Sequence, residues 1–229
     1  MRGRDIRRFA HENGLVLFFG TIFLLALVGQ AVAGFADFVE QQVADGAHPV
    51  SFLGYLSSSD FGVDVAENWQ SEYLQFALYV VATVYFVQRG SPESKPLEEV
   101  GGGSDEHQRV GACARDDSPA AARAGGSRLW WYSNSLGLAM LTLFLGSWTA
   151  QAVAGRAAYN TAQLRSFQDP AGMGEYLVSP DFWSRTLQNW QSEFLAIMSM
   201  ALLSVYLRQR GSPESKPVGA AHDATGVEG

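Results

Sequence analysis

Two stretches of the chain contain no charged residue over a length that could cross a lipid bilayer. They are residues 14–35, with 22 residues, and residues 129–155, with 27 residues. A bilayer hydrocarbon core of about 30 Å requires about 20 apolar residues in a helix. The pattern therefore predicts one transmembrane helix in each stretch.

Two further apolar runs, 73–88 and 194–207, are shorter. They can span a membrane only if their helices begin at or before Trp69 and Trp190. With these runs included, the sequence predicts an all-α integral membrane protein with four transmembrane helices.

Capping and helix-breaking residues predict where these helices begin and end. Asn13 and Asn134 precede the first apolar residues and are favourable N-caps. The first helix is expected to continue from Gly14 through residues 35–44. The second is expected to run from Ser59 to Arg89, because Gly and Pro follow Arg89 as stop signals.

The chain repeats itself at an offset of 121 residues. Residues 13–96 align with 134–217 without a gap, with 36 identities in 84 positions. The segment NWQSE occurs at 68–72 and 189–193, QAVAG at 30–34 and 151–155, and QRGSPESKP at 88–96 and 209–217. The pattern indicates a tandem duplication, in which each copy is one structural unit.

The repeat defines the predicted domains. Residues 1–96 form the first two-helix membrane repeat and 129–217 the second. Residues 97–128, rich in Gly, Ala, Ser and charge, are predicted to be a flexible cytoplasmic linker, and 218–229 a disordered tail. Two helices per copy give both copies the same orientation, so the repeats are parallel and related by an axis along the membrane normal.

The basic residues predict the orientation. Four helices place the N-terminus, the linker and the C-terminus on one side, which then holds 13 of the 16 Lys and Arg residues. The positive-inside rule makes that side cytoplasmic. The first apolar run is too long for a usual signal peptide, and its repeat partner lies in mid-chain, so we expect it to be retained.

Polar residues within the predicted spans are the candidate functional residues. Gln30 and Glu72 are expected at the same depth, and Asn68 shares a helix face with Glu72. An acid at membrane depth is a candidate functional site, and these groups could line a cavity for a solute or protons. Alternatively, they only join the helices by hydrogen bonds worth about 1 kcal/mol. The candidate polar cluster comprises Gln30, Asn68, Glu72, Gln151, Asn189 and Glu193, and the interfacial anchors are Trp69, Trp130, Trp131 and Trp190.

Composition excludes several classes of function. The net charge of −7 gives no support for nucleic-acid binding. Cys113 is the only cysteine, and the four histidines are scattered, so neither a metal site nor a cofactor is predicted. The motifs of metalloproteases, serine hydrolases and nucleotide-binding loops do not occur, so no enzymatic activity is expected.

The NWQSE and QRGSPESKP blocks, with the preceding QAVAG helix, resemble an uncharacterised family of small bacterial inner-membrane proteins known only as a domain of unknown function. The resemblance covers residues 6–96 and 130–217, implies an integral membrane protein, and carries over no catalytic or binding residues. We therefore expect a structural or interaction protein whose partners are the lipid bilayer and a second copy or another membrane protein. The alternative is a small transporter or channel that uses the polar clusters around Glu72 and Glu193.

Overall fold

The computed structural model describes residues 8–229, and this part of the chain is helical or irregular and contains no strand, which confirms the all-α class. After a helical run at 8–12, the α-helices are α1 (Gly14–Ala44), α2 (Phe52–Leu56), α3 (Ser59–Tyr85), α4 (Asp105–Gln108), α5 (Gly126–Ser133), α6 (Ser135–Arg165), α7 (Met173–Leu177) and α8 (Pro180–Tyr206). The bounds of α6, α7 and α8 lie 121 residues after those of α1, α2 and α3, the offset of the sequence repeat.

Two helices, α1 and α6, are long and apolar enough to cross a membrane. Each has 31 residues, which corresponds to a length of about 46 Å. Only 6% of the apolar window of α1 and 17% of that of α6 is buried. The core helix of a soluble protein would be mostly buried, so these exposed apolar helices are evidence for association with a membrane.

The helices α3 and α8 do not meet the same criterion. Each has 27 residues, and the polar residues are concentrated in the first half of each helix. That α3 and α8 also cross the membrane therefore remains a prediction.

The chain divides into two compact units, with the boundary inside α3 between Val63 and Asp64. The first unit is built around Tyr55, which is only 2% exposed. Its ring packs against Phe38 and Phe61, with ring centroids 5.3 Å apart in both pairs. Its hydroxyl lies against Gly34 of α1, where an added Cβ would collide with it.

The second unit contains the repeat-equivalent cluster around Tyr176, which is fully buried. Tyr176 packs against Tyr159 and Phe182, with centroids 5.5 and 5.6 Å apart. Trp148 of α6 extends the cluster by packing against Phe182 at 6.0 Å. Tyr55 of α2 and Tyr176 of α7 are thus equivalent. Each joins its short helix to the long helices within its own unit.

Helices α1 and α6 begin directly after Asn13 and Asn134, as predicted, but the predicted side-chain caps are wrong. Neither side chain caps the following helix. Instead, Asn13 Nδ2 donates to Phe9 O at 2.9 Å, and Asn134 Nδ2 donates to Trp130 O at 2.8 Å. Each asparagine follows residues that are already helical, so its amide bonds backwards to a carbonyl rather than forwards to a free N–H.

The predicted end of the second helix is also wrong, because α3 stops at Tyr85 rather than Arg89. The Val84 carbonyl, which a longer helix would offer to Gln88 N, accepts from Gly101 N at 2.8 Å. Gln88 N donates instead to Ser94 Oγ at 2.8 Å. Competing hydrogen bonds from the following segment thus end the helix.

The linker and the tail have local structure that the sequence did not predict. Residues 97–128 contain α4, the start of α5 and two short 3-10 turns, at Leu97–Glu99 and Gly111–Cys113. The tail was predicted to be disordered, whereas residues 220–226 form the hydrogen bonds described below.

Candidate functional site

Residues of the repeated NWQSE segments meet where α3 packs against α8. Trp190 Nε1 donates to Gln70 Oε1 at 2.9 Å, and Gln70 is fully buried. The Ser71 hydroxyl donates to Asn68 O at 2.9 Å, and Glu72 is close enough to Glu193 for the two charges to repel each other. The structure therefore brings the two repeat-equivalent glutamates near each other.

The two asparagines of the predicted cluster are engaged within their own helices. Asn68 Nδ2 donates to Asp64 O at 2.7 Å, and Asn189 Nδ2 donates to Arg185 O at 2.9 Å. Their amide N–H groups thus stabilise the backbone of α3 and α8.

Gln151 is fully buried in α6, and its amide donates to Thr186 Oγ1 at 3.3 Å. Thr186 precedes Glu193 by seven residues of the same helix, a distance of about 10 Å along its axis. The observed partner of Gln151 is therefore a threonine almost two turns from the glutamate expected at the same depth. Gln30 lies in the first unit, and its pairing with Glu72 remains a prediction.

The four candidate anchor tryptophans have different surroundings. Trp130 and Trp131 are 54% and 61% exposed and contact each other edge to face. Trp69 is 40% exposed. Trp190 is half-buried and packs against Trp148, with ring centroids 6.2 Å apart. Exposure of the first three suits an anchor at a membrane surface, whereas Trp190 mainly joins α6, α8 and α3.

An ion-pair cluster joins the start of α8 to α3. Arg185 contacts Glu67 Oε2 at 3.2 Å and Asp181 Oδ2 at 3.4 Å. The Tyr176 hydroxyl donates to Asp181 Oδ2 at 3.1 Å. Burial raises the pKa of Glu67, an effect that Arg185 opposes. The sequence signal for this cluster was the acid-rich start of α3, whose carboxylates require a counter-ion.

A cleft of about 330 Å³ lies between α3 and α8, further towards the C-terminal ends of the two helices than the ion-pair cluster. Its lining consists of four pairs of positions, each pair 121 residues apart: Gln75 and Ala196, Phe76 and Ile197, Tyr79 and Met200, and Glu93 and Glu214. The cleft therefore lies between equivalent parts of the two copies, which face each other across it. One of its walls begins a single helical turn after Glu72.

Glu93 and Glu214 occur at the end of the cleft, in the two QRGSPESKP segments. Both line the cleft, and their carboxyl groups are close enough to interact directly. The Tyr79 hydroxyl donates to Glu93 Oε2. Burial, followed by the hydrogen bond and the charge of Glu214, raises the pKa of Glu93 to about 7.

The two QRGSPESKP segments, here called loop 1 (88–96) and loop 2 (209–217), have the same internal hydrogen bond. Ser94 Oγ accepts from Gln88 N at 2.8 Å, and Ser215 Oγ accepts from Gln209 N at 2.9 Å. Both serines are buried. The two serine hydroxyl groups thus close the loops.

The C-terminal tail binds both loops. Gly90 N in loop 1 donates to Thr225 Oγ1 at 2.8 Å, and Gly226 N donates to Ser91 O at 3.0 Å. In loop 2, the buried Lys216 ammonium donates to the carbonyls of Ala221, His222 and Ala224 at 3.2, 2.8 and 3.3 Å. The exact identity of the two nine-residue segments was the sequence signal for loops with a shared structural role, but nothing indicated that the tail binds them.

Within residues 8–229, no group of three or more His, Cys, Asp or Glu side chains is arranged to hold a metal ion. A family model described as a domain of unknown function, DUF6766, matches residues 6–227 of the chain. No curated protein and no solved structure matches the chain.

Proposed function

Because the chain belongs to the DUF6766 family, a domain of unknown function, we propose its role from its own residues. We propose that it is a multipass protein of the bacterial inner membrane, made of two tandem two-helix repeats, with four transmembrane helices and both termini in the cytoplasm. Its role is that of a structural or interaction protein without enzymatic chemistry. Its partners are the lipid bilayer and a second copy of the chain or another membrane protein.

The exposed apolar surface of α1 and α6 carries the membrane assignment. Leu15, Leu25 and Val28 of α1 are 73%, 68% and 62% exposed. Soluble monomers rarely expose an apolar patch larger than about 300–600 Å², and lipid is the environment that stabilises a longer apolar helix. The position of α6 in mid-chain rules out a cleaved signal peptide as an explanation for that helix.

The geometry of α3 and α8 supports their assignment as the other two spans. Each helix has 27 residues, a length of about 40 Å, which exceeds the hydrocarbon core. Their polar first halves can extend into the outer headgroup layer, with Trp69 and Trp190 at its boundary. The apolar second halves then cross the hydrocarbon, and loops 1 and 2 emerge together on the cytoplasmic side.

Direct side-chain contacts support the structural role. At the outer half of the α3–α8 interface, Trp190 bonds to Gln70 and Arg185 pairs with Glu67. Passage of a solute between these helices would have to break both contacts. The same contacts hold two helices from different repeats together, which is what a scaffold requires.

The cleft between α3 and α8 supports the second candidate, a small transporter or channel. It begins one helical turn from Glu72 and ends at the Glu93–Glu214 pair, so acidic groups lie at both of its ends. Such an arrangement could pass protons or a cation if the outer contacts opened. This reading requires the carboxylate charge, whereas the structural role requires only a hydrogen-bonding side chain.

Glu72→Gln and Glu193→Gln, made singly and together, distinguish the two roles. The measurements are thermal unfolding in detergent and flux of protons and monovalent cations into proteoliposomes. If the protein is structural, the variants should keep the wild-type melting temperature, and neither the wild type nor the variants should show flux. Flux in the wild type that disappears in a stably folded Glu→Gln variant would refute the structural role.

Copurification tests the interaction role directly. The protein extracted in a mild detergent should elute with a second copy or another membrane protein. A monomer that copurifies with lipid alone, together with Glu-dependent flux, would favour the transporter.

A further inference from the structure

Two loops of identical sequence meet at one end of the cleft, and each contributes a glutamate to its lining. Glu93 of loop 1 and Glu214 of loop 2 occupy the same place in the repeat, both line the cleft, and their carboxyl groups are close enough to interact directly. In the part of the chain that the structure describes, neither carboxyl group has a Lys or Arg partner within ion-pair distance. This contact between the loops therefore joins two acids without a compensating cation.

The groups that surround the pair do not supply the missing charge. The α3 side contributes Tyr79, whose hydroxyl donates to Glu93, and the α8 side contributes the uncharged Ala196, Ile197 and Met200. The lysines of the two loops point their ammonium groups elsewhere, since Lys95 bonds to Gly101 O and Lys216 to three tail carbonyls. Among the charged tail and loop residues, Arg89 pairs with Asp223.

Two carboxyl groups at this distance are stable together only if they share a proton. When one is protonated, its O–H donates to the other, and the pair carries a single charge. When both are ionised, the like charges repel each other and the hydrogen bond is lost. The contact between loops 1 and 2 therefore depends on one proton.

We propose that Glu93 and Glu214 form a proton-dependent clasp, which holds loops 1 and 2 together while one proton is shared and releases them when that proton leaves. The closed clasp narrows the cytoplasmic end of the cleft, and its release opens that end. The clasp is a property of the loops and does not depend on whether the protein transports anything.

The pH range follows from the raised pKa of Glu93, which is about 7 in the closed state against 4.5 for an ordinary glutamate. A carboxyl group with a raised pKa stabilises the closed state when protonated. That stabilisation is complete below the ordinary value and is lost as the pH rises through about 7. Because a single proton is involved, the ratio of closed to open molecules can change by at most about tenfold per pH unit.

Spin labels placed on the two loops measure this ratio. Leu97→Cys beside loop 1 and Arg210→Cys in loop 2, in a Cys113→Ser background, report the distance between the loops in the full chain. Between about pH 4 and about pH 8, a range that brackets both pKa values, the short-distance population should decrease, with a midpoint between 4.5 and about 7. The infrared C=O band of the protonated carboxyl group should disappear over the same pH range.

Glu93→Gln is the decisive variant. The glutamine amide can donate to the Glu214 carboxylate and accept from Tyr79, so the loops should stay close at every pH. Glu98→Gln, which changes an exposed acid just beyond loop 1, should respond to pH like the wild type. His222→Gln removes the nearby imidazole and should also leave the transition in place.

A wild-type distance that does not change with pH would overturn the proposal. So would a Glu93→Gln protein, folded by its melting curve, that keeps the wild-type transition. Loss of the transition in His222→Gln would assign it to the histidine and would equally refute the clasp.

Discussion

Substituting the two loop glycines tests whether the tail is bound as the structure shows. Gly90 of loop 1 and Gly211 of loop 2 have the same sequence neighbours and similar left-handed backbones, with φ values of 85° and 78°. They differ in their surroundings. A Cβ on Gly90 would collide with the His222 carbonyl of the tail and lie 3.0 Å from Val205 Cγ1, whereas a Cβ on Gly211 would meet nothing within 4 Å.

Gly211→Ala should therefore show the backbone cost alone, about 1 kcal/mol for an alanine in the left-handed region. Gly90→Ala carries the same cost and also displaces the tail. The displaced segment includes the Lys216–His222 and Gly90–Thr225 hydrogen bonds, each worth about 1 kcal/mol. We expect Gly90→Ala to lose about 2–3 kcal/mol in total.

Denaturant unfolding in detergent measures the loss of stability. The rate at which a nonspecific protease cleaves the tail measures its displacement. Gly90→Ala should be cleaved faster than both the wild type and Gly211→Ala. In a chain that lacks residues 219–229, the two alanine variants should be equally destabilised, because the tail is absent from both. Equal effects in the full chain, or an excess at Gly90 that survives the truncation, would refute the bound tail.

Two further predictions concern topology and packing. Reporter fusions after Pro96 and at the C-terminus should behave as cytoplasmic and a fusion near Gly46 as periplasmic, because four spans would place 13 of the 16 basic residues on the same side as the two termini. A periplasmic C-terminus would contradict four spans. Gly34→Ala should destabilise the protein by about 1–3 kcal/mol in detergent melts, since its Cβ would collide with the buried Tyr55 hydroxyl. The control Gly29→Ala, with nothing within 4 Å, should be neutral or gain up to about 1 kcal/mol, and equal effects at both glycines would refute the close contact.

Helix positions were the part of the structure that the sequence predicted best. The apolar periodicity and the 121-residue repeat located the long helices, including the extension of α1 to Ala44. The errors occurred at helix ends, where the competing partner is distant in sequence. Gly101 N takes the carbonyl that would have prolonged α3, and a local pattern of Gly and Pro contains no information about that bond.

The candidate site was predicted only in outline. Parallel repeats allow equivalent residues such as Glu72 and Glu193 to face each other or a second molecule, and in the structure their charges are close enough to interact. The expected partner of Gln151 was chosen by counting residues along straight helices from the cytoplasmic ends. The observed partner is Thr186, because depth along one helix does not determine where a second, tilted helix crosses it.

Divergence between the copies explains why the interface is not fully symmetric. Arg185 occupies the position of Asp64, and Gln188 that of Glu67. Two identical copies of the first repeat, packed in the same way, would place Asp64 opposite Glu67 and bring two acids together. Arg185 converts this repulsion into an ion pair of 3.2 Å. At the other end of α3 and α8, Glu93 and Glu214 have remained identical, so the repulsion there is relieved by a proton instead. Arginine stays charged near neutrality, so the Arg185–Glu67 contact keeps its cation, whereas the Glu93–Glu214 contact depends on a proton.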